Sequence, residues 1–110
     1  MLILTRIEKG CAVLEVTGRL DAGNAPDFEQ RCHAERGTQT RVALDFSRLE
    51  YISSAGLRSL LNLARALKQA GGGLALCGIN GFVRDVIEVS GFNQFLPIYA
   101  TSAEAVEAKL

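Results

Sequence analysis

Short apolar-rich segments recur from the start of the chain. Leu2 to Ile7 reads as a strand, and Cys11 to Thr17 as a second, with Ala12, Leu14 and Val16 on one face and Glu15 and Thr17 on the other. Glu8-Lys9-Gly10 predicts a three-residue turn, so the chain opens as a β-hairpin. Arg41 to Phe46 carries the nearly continuous apolar run of a buried central strand. Leu74 to Cys77 predicts a short further strand. Phe95 to Tyr99 predicts an edge strand, where Pro97 is tolerated because it need not donate to a ladder.

The intervening segments have helical spacing. Asn24 as N-cap and Pro26 and Asp27 in a first turn start a helix over Ala25 to Glu35, with Ala25, Phe28 and Cys32 on one face and Gly37 as its stop. Ser47 to Ile52 reads as a connection. Ser53-Ser54-Ala55-Gly56 then opens the most periodic helix, with Leu57, Leu60, Leu61, Ala64 and Leu67 inward and Arg58, Asn62, Arg65 and Lys68 outward. Gly71-Gly72-Gly73 ends it. Asn80 or Gly81 caps a third helix with Val83, Val86 and Ile87 inward and Ser90-Gly91 at its end. Thr101-Ser102-Ala103-Glu104 matches a capping box for a last helix, with Ala103, Val106 and Leu110 inward.

The order is β-β-α-β-α-β-α-(β)-α. Strand–helix–strand alternation implies parallel pairing with right-handed crossovers, and the hairpin adds an antiparallel pair. The expected fold is α/β, a small mixed sheet with about four helices. The length of 110 residues sets one domain, residues 1–110.

Composition narrows the function. Twelve basic against twelve acidic residues give zero net charge, without the basic excess of a nucleic-acid binder. No apolar run is long enough to insert in a membrane, and Met1 to Arg6 does not read as a signal peptide. Cys11, Cys32 and Cys77 are an odd, scattered set, expected as buried thiols in a reducing cytoplasm. The single histidine, His33, follows Cys32, and neighbours on a helix do not face each other, which disfavours a Cys–His nucleophile. There is no metal-ligand spacing, no nucleophile elbow and no phosphate-binding glycine loop, so neither a cofactor nor an enzyme activity is expected.

One segment stands out, Asp45 to Leu57, where a buried strand leads to two serines at a helix start. A serine there satisfies an orphan backbone N–H, which is a common structural role. A helix N-terminus also favours anions, so a phosphoserine there is compatible with the fold. The loops after strands tend to gather at one end of such a sheet. This places Asp21, Ser53, Ser54, Gly56, Arg58 and Asn80 on a candidate partner surface, with local turn or cap bonding as the alternative for Asp21 and Asn80. Gly56 is included because a missing side chain admits another backbone.

Several segments together resemble the STAS domain, specifically the stand-alone bacterial anti-sigma factor antagonists. They are Gly18-Arg19-Leu20-Asp21 followed by Ala25, Val42 to Leu49, Ile52 to Leu57, and Ser90-Gly91-Phe92. The resemblance covers nearly the whole chain. It implies a STAS-like fold and a non-enzymatic, partner-switching regulator in the cytoplasm. Such a regulator binds an anti-sigma factor that is also a serine kinase. Phosphorylation of a switch serine releases it, and a PP2C-type phosphatase resets it. By position that serine is Ser54. Ser53 stands where the family has Asp, and Ala55 where it has a second Ser. The family also includes accessory subunits of lipid-transporting ABC systems and stress-sensing scaffolds, which are the alternative roles.

Overall fold

The computed structural model describes residues 1–108. The elements in chain order are β1 (Leu2–Glu8), β2 (Cys11–Leu20), α1 (Ala25–Arg36), β3 (Arg41–Ile52), α2 (Ser54–Gln69), β4 (Gly73–Cys77), α3 (Gly81–Ser90), β5 (Ile98–Tyr99) and α4 (Ser102–Glu107), with a 3-10 turn at Phe92–Gln94. The five strands lie in the order β1-β2-β3-β4-β5. β1 is antiparallel to β2, and every later pairing is parallel. This is the expected mixed α/β architecture.

The larger core lies between one sheet face and α1, α2 and α3, with Leu14, Val16, Leu44 and Phe46 facing Phe28, Leu60, Leu63, Leu67 and Ile87. The other face is covered over a smaller area, where Ala105 and Val106 of α4 pack on Cys11, Val13, Ala43, Ala75 and Cys77. Buried apolar area of this kind contributes about 25 cal/mol per Å².

The hairpin is tighter than expected. Glu8 pairs directly with Cys11, leaving a two-residue loop of Lys9 and Gly10 with φ of 50° and 75°. Two successive positive φ values give the turn whose twist matches that of the flanking strands.

The main departure is β3, whose expected end at Phe46 gives way to a strand running to Ile52; β2 likewise runs to Leu20. Two irregularities explain why alternation does not reveal it. Between the pairs Glu15↔Asp45 and Thr17↔Arg48, and again between Gly18↔Leu49 and Arg19↔Tyr51, β3 advances by one residue more than β2. Each extra residue resets the inward face. Phe46, Leu49 and Ile52 are therefore all buried although they are three residues apart. The segment reads as a loop by period but is a bulged strand in space.

Other differences are local. Asn24 occupies the N-cap position of α1 without capping it; its Oδ1 accepts from the Asp21 amide (2.9 Å) and its Nδ2 donates to the Arg19 carbonyl (2.8 Å). Asn80 precedes α3 in the same way, and its side chain donates to the Gly78 carbonyl (3.3 Å). In α2 the buried face includes Leu63 and Ser59, while Leu61 and Ala64 are half-buried, because α1 packs along one flank of the helix. Phe95 and Leu96 precede β5 instead of joining it, and the Pro97 carbonyl accepts from the Leu76 amide (3.0 Å). In α4, Ala105 replaces the exposed Ala103 as the buried partner of Val106, and Leu110 lies outside the described residues. The Thr101 cap forms, its Oγ1 accepting from the Glu104 amide (3.2 Å).

Candidate functional site

The ends of β2 and β3 and the start of α2 are tied together by backbone. Leu20 pairs with Ile52, and the Ser53 amide donates to the Leu20 carbonyl (3.0 Å). This seam turns the chain out of the sheet and into α2 at one fixed point. Ser53 is extended and caps the helix, with its Oγ accepting from the Gly56 amide (3.2 Å). Its carbonyl accepts from the Leu57 amide (2.9 Å). Ser54 is the first residue of α2 and is exposed, and among the described residues its hydroxyl has no hydrogen-bond partner. The two adjacent serines thus differ in chemistry: one hydroxyl is committed to the fold and the other is open to solvent.

Ser54 opens onto a cleft of about 320 Å³ between the N-terminal turns of α1 and α2, where Ala22, Pro26 and Glu29 face Ser54, Arg58 and Asn62. Its charged groups are the Arg58 guanidinium and the Glu29 carboxylate, and Glu29 accepts from Asn62 Nδ2 (3.3 Å). The wall behind is closed by Ser59, whose buried hydroxyl donates to the Gly56 carbonyl (2.6 Å).

Of the six residues placed on one surface by the sequence, Ser53, Ser54 and Arg58 lie at the start of α2, and Asp21 directly follows Leu20, whose carbonyl accepts from the Ser53 amide. Asp21 also makes the local bonds of a turn: its Oδ1 accepts from the Gly23 amide (3.0 Å). Gly56 requires a correction, because it is buried and does not present a bare backbone outward. A Cβ built there meets Ile52 Cγ1 at 2.8 Å and the Leu20 carbonyl oxygen at 3.0 Å, so its missing side chain serves internal packing. Asn80 is exposed but lines a different cleft, of about 600 Å³, together with Ser47, Arg48, Glu50 and Phe82.

Phe82 of the second cleft belongs to a cluster that the spacing of the sequence does not reveal. Tyr51 stacks on Phe82 (centroids 5.4 Å apart, planes 8° from parallel), and the Arg19 guanidinium lies 4.2 Å from the Tyr51 ring centre. Arg19 meets Tyr51 only because of the second bulge in the β2–β3 register. The cluster's trace in the sequence is Phe82, an aromatic in the first turn of α3 outside the inward set Val83, Val86 and Ile87.

The thiols lie away from this surface. Cys11, Cys32 and Cys77 are buried, and burial pushes the Cys32 and Cys77 thiols up to about 12. Neither supplies a thiolate at neutral pH. His33 Nδ1 accepts from Arg36 Nε (3.1 Å). Among the described residues, no group of three His, Cys, Asp or Glu side chains is placed to hold a metal ion, and no helix is long and apolar enough to cross a membrane.

The chain thus combines a parallel sheet, an antiparallel hairpin at its edge and a serine-capped helix leaving a bulged central strand. Residues 3–105 match the STAS domain, and the chain belongs to that family. Within it, the chain is 42% identical over 101 residues to BtrV of Bordetella bronchiseptica, which is assigned as an anti-sigma factor antagonist; the match covers 90% of this chain and 85% of that one. The crystal structure of a Thermotoga maritima protein assigned to the same class superposes with a TM-score of 0.87 at 26% identity, over 96% of this chain and 92% of that one. The fold is shared with the anti-sigma factor antagonist SpoIIAA of Bacillus, at a TM-score of 0.79 and 23% identity for its unphosphorylated form (96% and 94% covered) and 0.71 and 22% for its phosphorylated form (96% and 97%).

Proposed function

We propose that this chain is an anti-sigma factor antagonist that works in the cytoplasm by partner switching and not by catalysis. In the unphosphorylated state it binds an anti-sigma factor that is also a serine kinase, through the surface around the start of α2. The kinase transfers the γ-phosphoryl group of ATP to Ser54 Oγ; the hydroxyl proton is lost, ADP leaves, and the complex dissociates. A PP2C-type phosphatase hydrolyses the ester to serine and inorganic phosphate, which restores binding.

The observation that carries this reading is the contrast between the committed hydroxyl of Ser53 and the exposed, unbonded hydroxyl of Ser54. Ser53 also performs as N-cap the task an Asp performs equally well, so its substitution for the family Asp leaves the helix start intact. The relatives described as anti-sigma factor antagonists support the partner class.

A phosphate at Ser54 sits where backbone donors and the helix dipole favour an anion, so the free protein accommodates it. A partner packed on that point has to desolvate it. A mismatched buried charge costs about 2–5 kcal/mol, or roughly 30- to 5,000-fold in affinity. The test is the affinity of the partner for the unmodified, phosphorylated, Ser54→Asp and Ser54→Ala forms. The expected order is tight, weak, intermediate and tight, with Ser54→Ala never released by kinase and ATP. Equal affinity of the phosphorylated and unmodified forms would replace the switch by a transporter-accessory or scaffold role.

A further inference from the structure

Ser54 and Arg58 are four residues apart in a helix of 16 residues, both exposed, and both line the cleft between α1 and α2. Residues at this spacing lie on one helix face, and an acid placed N-terminal to a base is the favourable orientation. The other arginines are largely committed. Arg6, Arg31, Arg48 and Arg84 pair with carboxylates, Arg36 and Arg41 donate to carbonyls, and Arg19 stacks on Tyr51. Among the described residues, Arg58 and Arg65 alone lack such a partner, and only Arg58 lines the cleft with Ser54.

We infer that Arg58 is the internal counter-ion of a phosphate carried by Ser54. The inference rests on the proposed phosphorylation of that serine. A guanidinium offers a planar fork that matches two phosphate oxygens, and a phosphoserine dianion one turn earlier brings them within its reach. The only other charged side chain lining the cleft among the described residues is the Glu29 carboxylate of α1, of the same sign as the phosphate and bonded across the cleft to Asn62 of α2, so Arg58 is the one charged side chain there that attracts the phosphate. The modification then acts twice. It places an anion on the partner surface, and it draws the Arg58 guanidinium away from any carboxylate the partner presents.

The test is a phosphorus NMR titration of protein carrying phosphoserine installed at position 54 during synthesis, so that no kinase is needed. The second phosphate pKa, about 6 in an unperturbed phosphoserine, should lie a few tenths of a unit (~0.2–0.4) lower with Arg58 present than in Arg58→Gln, the size expected of an exposed pair at this spacing. Arg58→Lys should fall between them, because a point charge cannot form the fork. Glu29→Gln should lower the value further, and raised salt should shrink every difference. Equal values in the parent and Arg58→Gln overturn the inference. Partner release is measured separately: a normal pKa shift with undiminished partner binding removes the switch reading and leaves the counter-ion in place.

Discussion

Ser53 Oγ accepts the amide hydrogen of Gly56 at 3.2 Å, closing the first turn of α2 on itself. Because that hydroxyl is committed, Ser53→Ala should lower stability by about 1 kcal/mol, within the roughly 0.5–2 kcal/mol range of lost caps. Ser53→Asp should retain the cap and gain from the helix dipole. Ser54→Ala should stay within about 0.5 kcal/mol of the parent, since its side chain supports nothing in the fold. Urea denaturation of the three variants checks the contrast. A larger loss at Ser54 than at Ser53 would reverse the assignment of the two serines.

Gly56→Ala should destabilise despite the better helix propensity of alanine. Its Cβ would stand 2.8 Å from Ile52 Cγ1 and 3.0 Å from the Leu20 carbonyl oxygen, the atom that also accepts from the Ser53 amide. Overpacking against fixed backbone costs about 1–3 kcal/mol. The strain falls on the seam that orients Ser54, so the variant should also bind the partner less tightly. Denaturation and calorimetric titration of the same sample read the two effects.

Alkaline pH should weaken the fold through two thiols. Both Cys32 and Cys77 are raised by burial from an ordinary value of 9.0 to about 12, so the folded chain holds protons that the unfolded chain gives up. The stabilising difference is fully present below pH 9 and is lost as pH rises from there towards 12. The slope reaches about 1.4 kcal/mol per pH unit for each thiol. Denaturation midpoints measured at pH 8, 9 and ~10 should fall more steeply in the parent than in a Cys32→Ala, Cys77→Ala variant. Folded protein at neutral pH should also react with a thiol reagent far more slowly than denatured protein.

The stack of Tyr51 on Phe82 predicts a measurable coupling between the end of β3 and the start of α3. A double-mutant cycle with Tyr51→Ala and Phe82→Ala should return an interaction energy of about 0.5 kcal/mol, the low end for aromatic pairs because Phe82 is half exposed. Additive effects would mean that the rings are neighbours without coupling.

Much of this architecture is legible in the sequence. Strands β1, β2 and β4 show as apolar-rich runs, α2 and α3 show helical spacing, and α1 shows start and stop signals, and all of them occur at or near the expected positions. The end of β3 does not, because two inserted residues convert alternation into a three-residue spacing through Phe46, Leu49 and Ile52. That same irregularity hid the contact of Arg19 with Tyr51. The two serines were visible as a capping signal, but period cannot say which is the cap; that depends on where the Leu20 carbonyl fixes the start of the helix. Gly56 was misplaced for a related reason. A glycine needed for close approach looks the same in sequence whether the approaching group belongs to a partner or to the neighbouring strand.

The five strands lie side by side in the order in which they are synthesised. No later strand has to force its way between two earlier ones. During translation the sheet can therefore grow by accretion at one edge, with each new strand finding its neighbour already laid down. The hairpin, β3 and α2 come first in the chain, so the segments around Ser54 precede β4, α3 and β5, which extend the sheet and fill much of the larger core, and α4 then covers the second face.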